Sequence, residues 1–123
     1  MREIRKAVLP YNLNAFSQLA AEIALEKYPT QLGPTVNAII DERERLYTSI
    51  SQLEGLTPVP SKGNFMVVRA EKDPKRIFDE LLQRDILVRD VSKYPMLSEY
   101  FRFSVGTPEE NDRLLRALNE IQH

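Results

Sequence analysis

The spacing of apolar residues changes character once along this chain of 123 residues. Up to about Glu54 they recur at helical intervals. From Asn64 onward they fall into short strand-type runs separated by two further helical stretches. That order predicts two leading helices followed by a compact mixed unit. The first helix runs from about Ala15 to Lys27, with Asn14 as N-cap and Phe16, Leu19, Ala20, Ile23 and Ala24 on one face. Pro29, Gly33 and Pro34 make residues 28–34 a loop. The second helix spans about 36–54, with Val36, Ile39, Ile40, Leu46, Tyr47, Ile50 and Leu53 in its stripe and Gly55 at C′. Its run Asp41-Glu42-Arg43-Glu44-Arg45 reads as solvated outer surface. Residues 57–63, with Pro58 and Pro60, read as a loop.

Strands are predicted at 64–69, 86–89 and 100–105. Asp73-Pro74 opens a helix to about Arg84, its inner face made of Ile77, Phe78, Leu81 and Leu82. Thr107-Pro108-Glu109-Glu110 is a capping box, and the helix after it buries Leu114, Leu115, Leu118 and Ile121. The expected class is α+β, in the order α-α-β-α-β-β-α, with helices layered on a small three-stranded sheet. This resembles a ferredoxin-like arrangement lacking one strand.

Composition removes most chemistry. Seventeen basic against 18 acidic residues leave a formal charge of −1, without the footprint of a nucleic-acid binder. There is no Cys, and the one His is His123, so disulfides, thiolate chemistry, a catalytic His and a multi-His metal site are not expected. No apolar run approaches 18 residues and no signal peptide is evident, so the chain reads as cytoplasmic and without a membrane partner. Phosphate-binding glycine motifs are absent. The carboxylates Glu109 and Glu110 suit a helix start, where the macrodipole favours negative charge. Lys62, in Ser61-Lys62-Gly63-Asn64, invites a Schiff-base reading, but nothing near it in sequence would lower its pKa or hold a cofactor ring.

Two strand arginines are the informative residues. Arg102 lies between Phe101 and Phe103, and Arg89 closes the apolar run Ile86-Leu87-Val88. A guanidinium in such surroundings stays charged and needs an anion or a set of carbonyls. If the two strands form an antiparallel hairpin with a symmetric loop, Arg89 faces Arg102, and opposed like charges require an offset. A phosphate or carboxylate ligand would provide it through bidentate hydrogen bonds. Alternatively, one or both pair with Asp85, Asp90 or Glu99, or emerge into solvent.

The segment Val88-Arg89-Asp90, followed after a short loop by Phe101-Arg102-Phe103-Ser104-Val105-Gly106-Thr107-Pro108-Glu109-Glu110-Asn111, resembles the C-terminal signature of histidinol-phosphate aminotransferases. These are fold-type I enzymes that use pyridoxal phosphate. Leu9-Pro10-Tyr11-Asn12-Leu13-Asn14 resembles the segment linking that family's large and small domains, and Gly63-Asn64-Phe65 resembles the start of its first small-domain strand. The resemblance spans essentially the whole chain and implies the C-terminal small domain alone: residues 1–34 a linker and first helix facing the large domain, residues 35–123 the small α+β domain. The implied parent activity is amino transfer between histidinol phosphate and 2-oxoglutarate in histidine biosynthesis. The arginine matching Arg102 would bind the anionic end of the substrate, the one matching Arg89 would assist, and Asn64 would help order the site.

The family's catalytic lysine, the aspartate paired with the pyridine nitrogen and the aromatic that stacks on the ring lie in the large domain, and none has a match here. The resemblance thus implies no catalytic residue, no metal and no bound pyridoxal phosphate in this chain alone. The implied partners are the missing large cofactor-binding domain, a phosphate- or carboxylate-bearing small molecule, and a second copy of the chain. Self-association would run through the first helix and the arm containing Ala7-Val8-Leu9, whose apolar sides would otherwise be exposed. Other readings are the same domain of a related pyridoxal-phosphate decarboxylase or aromatic aminotransferase, or a non-catalytic α+β module.

Overall fold

The computed structural model describes residues 14–122. The expected linker segment and the Ala7-Val8-Leu9 arm lie outside the described residues, apart from Asn14. The chain divides into two compact units, Met1–Val36 and Asn37–His123.

In the first unit, helix α1 (Ala15–Lys27) begins where the cap predicts: the Ser17 N–H donates to Asn14 Oδ1 at 2.8 Å. None of its residues is buried, and Phe16 is 85% exposed. The loop expected after it is instead a π-helical turn, Tyr28–Leu32, and helix α2 (Gly33–Ile50) starts at once. The prolines do not break the backbone because each occupies an opening position. Pro29 lies at the start of the turn and Pro34 is the second residue of α2, the opening positions at which proline is tolerated. Gly33 takes ordinary right-handed helical angles. Helix α2 ends at Ile50 rather than at 54. Leu46 and Ile50 of its stripe are buried, whereas Val36 and Ile40 are exposed.

The second unit is built on a four-stranded antiparallel sheet in the order β1-β2-β4-β3, with β1 Leu56–Pro58, β2 Phe65–Ala70, β3 Arg89–Asp90 and β4 Tyr100–Ser104. Three strands were expected. The extra one, β1, falls in the expected loop at 57–63. It is an edge strand, and an edge tolerates Pro58. The run Ile86-Leu87-Val88, expected as strand, stays outside the sheet because it first has to close helix α3 (Pro74–Leu82). The Ile86 N–H donates back to the Leu81 carbonyl at 2.9 Å, and Asp85 adopts φ 57° to allow the turn. Ladder pairing therefore begins only at Arg89. Leu82, expected to face inward, is about half exposed.

Helices α2, α3 and α4 (Pro108–Gln122) all send apolar residues into one core with Met66, Val68, Phe101 and Phe103 of the sheet. This is the expected two-layer α+β arrangement. The capping box forms reciprocally: the Thr107 N–H donates to Glu110 Oε2 at 2.8 Å, and the Glu110 N–H donates to Thr107 Oγ1 at 3.3 Å.

The charged run 41–45 is not a solvated face. Arg43 is only 6% exposed. Glu42 accepts from Arg45 Nη2 and from the Nδ2 of buried Asn111, both at 2.7 Å, while Arg45 Nη1 donates to Asp112 at 2.7 Å. These bonds join α2 to α4. The Arg45 guanidinium, with a second contribution from Asn111, holds the Glu42 carboxyl below its ordinary pKa, and Glu42 in turn raises that of Arg45. Asn111 also grips the turn after β4, donating to the Gly106 carbonyl and accepting its N–H, both at 3.0 Å.

Candidate functional site

Successive residues of a strand point to opposite faces, so the core residues of β2 and β4 define their outward neighbours. Met66 and Val68 point inward with Phe101 and Phe103. Phe65, Val67 and Arg69 therefore point outward with Tyr100, Arg102 and Ser104. Arg102 lies mid-strand on β4, paired with Val67 on one side and with Arg89 on the other. The opposition of Arg89 and Arg102 expected of an antiparallel hairpin is thus present. Successive turns close the connection: Tyr94 bonds back to Val91, Leu97 to Tyr94 and Tyr100 to Leu97, at 3.0, 3.1 and 3.1 Å.

The local carboxylates do not neutralise this pair. Glu99 accepts from Arg69 Nε at 2.8 Å, which raises the Arg69 pKa. Asp90 Oδ1 accepts the Ser92 N–H at 2.8 Å, and its bonds to Ser92 hold its pKa down. Neither guanidinium has a salt-bridge or hydrogen-bond partner among the described residues. Arg89 emerges into solvent. Arg102 is half-buried, and its Nε is the one buried side-chain nitrogen or oxygen among the described residues without a hydrogen-bond partner. Its Cζ stands 5.1 Å from the centroid of the Phe65 ring, which crosses diagonally from β2.

Asn64 precedes β2, and its carbonyl accepts the Val105 N–H at 2.9 Å, extending the ladder by one bond. At strand rise it stands roughly 10 Å along β2 from the residue facing Arg102. Lys62 is exposed on the rim of a cavity of about 260 Å³ lined also by Arg43, Glu44, Tyr47, Ser61 and Met66. Another cavity, about 350 Å³, lies between the 85–88 segment and the start of α4 and does not include the arginines. No group of three or more His, Cys, Asp or Glu among the described residues could hold a metal, and no described helix is long and apolar enough to cross a membrane.

Sequence reasoning did not single out Phe65, Arg43 or Asn111 for a role. Arg43 had a signal available. It lies three and seven residues before Leu46 and Ile50, the spacing of one helix face, so it turns toward the interior with them.

The α+β unit, with helices on one face of an antiparallel sheet, has the fold of the small domain of fold-type I aminotransferases. The fold matches that of the histidinol-phosphate aminotransferase from Clostridium acetobutylicum with a TM-score of 0.81 and 25% identity, covering 98% of this chain and 37% of that one. A putative aminotransferase from Burkholderia pseudomallei matches with a TM-score of 0.82 and 25% identity, covering 99% of this chain and 37% of that one. The sequence relatives are histidinol-phosphate aminotransferases. The chain is 40% identical over 118 residues to that of Aquifex aeolicus, covering 96% of this chain and 33% of the relative. It is 44% identical over 121 residues to one from Carboxydothermus hydrogenoformans, covering 98% and 34%. The chain thus spans about a third of the length of the curated relatives it matches. The Sinorhizobium meliloti histidinol-phosphate aminotransferase, solved in complex with pyridoxal-5′-phosphate, matches over 69% of this chain and 24% of its own at 30% identity and a TM-score of 0.62. No protein-family profile matches the chain.

Proposed function

We propose that this chain is the C-terminal part of a pyridoxal-phosphate-dependent histidinol-phosphate aminotransferase, and that Arg102, assisted by Arg89, receives the anionic end of its substrate. The observation that carries the proposal is the arginine pair, opposed in register on the outward face and without a counter-ion among the described residues. Such a pair is stabilised when a phosphate or carboxylate bridges it with charge-assisted hydrogen bonds. Histidinol phosphate ends in a phosphate and 2-oxoglutarate in a carboxylate, so one cationic site serves both halves of an amino transfer. Asn64 helps order the site by continuing the β2–β4 ladder through its carbonyl. Identities of 40% and 44% to histidinol-phosphate aminotransferases support this substrate.

The chain supplies part of the substrate clamp and no catalytic residue. Pyridoxal phosphate provides electron-sink chemistry when bound, and the residues around Lys62 do not fit it. Arg43 spends Nε and Nη2 on Glu44 and Nη1 on the Gly63 carbonyl, so neither it nor Glu44 is left to hold a phosphate or a ring nitrogen. The large cofactor-binding domain is therefore the required partner. Residues 1–34 form the arm that meets it, and residues 35–123 the substrate-binding domain. The exposed Phe16, Leu19 and Ile23 of α1 support that division, because a helix with its apolar face uncovered needs a partner surface. Without the large domain, α1 and the arm drive self-association; a clean monomer in sedimentation at high concentration would count against this.

The test is complementation. Co-expressed with the large domain of the Aquifex aeolicus relative, the chain should restore amino transfer from histidinol phosphate to 2-oxoglutarate. Arg102→Ala should reduce kcat/KM by at least about a hundredfold, the range for losing a charged pairing at a binding site. Activity that survives Arg102→Ala unchanged would sink the proposed role.

A further inference from the structure

We propose that Phe65 is a positioning residue for Arg102, aiming its guanidinium end-on at the anion, and that Arg43 and Gly63 fix Phe65 in that position. The proposal deepens the reading of Arg102 as the anion-binding residue and rests on it. Phe65 is an aromatic ring left 38% exposed on the outward face of the sheet. The Arg102 guanidinium lies over that ring, at 5.1 Å to the centroid, within the range of a cation–π contact. Its Nε is buried and has no acceptor. A buried N–H without a partner is unfavourable and calls for an explanation. A guanidinium can grip an oxyanion side-on, through Nε and one Nη, or end-on, through both Nη atoms. Burial of Nε removes the first mode and leaves the second. The ring also restricts the rotation of the guanidinium plane, so less freedom is lost when the anion arrives.

The ring is itself held from behind. A Cβ at Gly63 would come within 3.2 Å of Phe65 Cε1 and 3.4 Å of Cδ1, so any larger residue there would push the ring by a few tenths of an ångström. Gly63 is fixed at both of its polar groups. Its N–H donates to Ser61 Oγ at 3.1 Å, and its carbonyl accepts from Arg43 Nη1 at 3.3 Å. Arg43 is buried on α2 and balanced by Glu44 at 2.9 Å. The order of support is therefore helix α2, the turn at 61–63, the Phe65 ring and the Arg102 guanidinium.

Two readouts on the 123-residue chain test this. The first is the Arg102 Nε–Hε resonance, assigned by its loss in Arg102→Lys. A stacked guanidinium should show the ring-current shift of a proton near an aromatic face. Phe65→Leu should abolish that shift, Phe65→Tyr should keep it, and Gly63→Ala should move it part of the way. The second is titration with inorganic phosphate. Phe65→Leu should weaken binding roughly three- to fivefold, the range of an exposed cation–π contact, while Phe65→Tyr binds as the wild type does. A resonance and an affinity both unchanged in Phe65→Leu overturn the proposal. So does a Phe65→Leu protein whose melting temperature falls while the Arg102 resonance stays in place, since that is what a purely structural role does. A wild-type chain that shows the ring-current shift but binds no phosphate supports the stack and overturns the anion-binding reading instead.

Discussion

Inward and outward residues of β2 and β4 come from the same two strands, one position apart, and they are in opposite physical states. Met66, Val68, Phe101 and Phe103 pack into a closed core with residues from three helices. One step along each strand, Phe65 keeps part of its ring in solvent, and Arg102 carries a charge that no described residue neutralises. The inward set contributes stability and the outward set contributes little, because a surface arginine without a partner gains no pairing energy and opposes a second one. Nearby arginines sharpen the contrast. Arg43, Arg45 and Arg69 all have carboxylate partners, whereas Arg89 and Arg102, which face each other across β3 and β4, have none among the described residues. Two opposed arginines with no carboxylate between them leave the place of a counter-ion to an anionic ligand.

Substitutions should separate the two faces by magnitude. The largest effect is expected at Phe101→Ala, which empties a fully buried position and should lower the unfolding free energy by about 3–5 kcal/mol in urea titration. A loss no greater than that of an outward substitution would abolish the distinction. Next comes the polar tie between α2 and α4. Glu42→Gln should cost about 1–3 kcal/mol at neutral pH, since it removes an ionised acceptor from Arg45 and Asn111. Because the folded-state pKa of Glu42 is depressed, its contribution is complete above its unfolded value of about 4.3 and is lost as pH falls through the lower folded value. Thermal melts should therefore show a steep acid loss in the wild type and a shallower one in Glu42→Gln. An identical acid slope in both would show that the tie is not carried by this carboxylate.

The smallest effect belongs to the outward face. Arg102→Met should change stability by less than about 1 kcal/mol, and in the stabilising direction at low salt, where the opposition to Arg89 is least screened. Added phosphate should raise the melting temperature of the wild type and leave that of Arg102→Met unmoved, as binding to the folded state alone requires. A strongly destabilised Arg102→Met would place Arg102 in the structural class with Arg43 and erase the comparison.

Much of this was legible from local pattern. The Asn14 cap, the Asp73-Pro74 start, the reciprocal Thr107–Glu110 box and the inward sets of α3 and α4 follow from interactions within a few residues, and all but Leu82 are as expected. The facing arginines were raised as a consequence of an antiparallel hairpin with a symmetric loop, and the β3–β4 register meets that condition. The misreadings have a common origin. Pro29 and Pro34 looked like breakers because their effect depends on whether they open a helix or interrupt one. The three residues of β1 are too few to show alternation, and they become a strand only when β2 offers its edge. Ile86-Leu87-Val88 is as apolar as a strand, but closing α3 takes up that stretch of chain.

The sequence by itself determined the α+β class and the starts of α1, α3 and α4, and it raised the opposition of Arg89 to Arg102 on the condition of an antiparallel hairpin with a symmetric loop. All of these depend on residue spacing and short-range hydrogen bonding, which a linear pattern records. Only the tertiary structure decided that Glu99 is taken by Arg69, that Arg43 turns inward to hold Gly63, and that the Phe65 ring lies under Arg102. Those relations join residues far apart in the chain, and they depend on how elements are rotated and set against one another, which packing resolves and spacing does not encode.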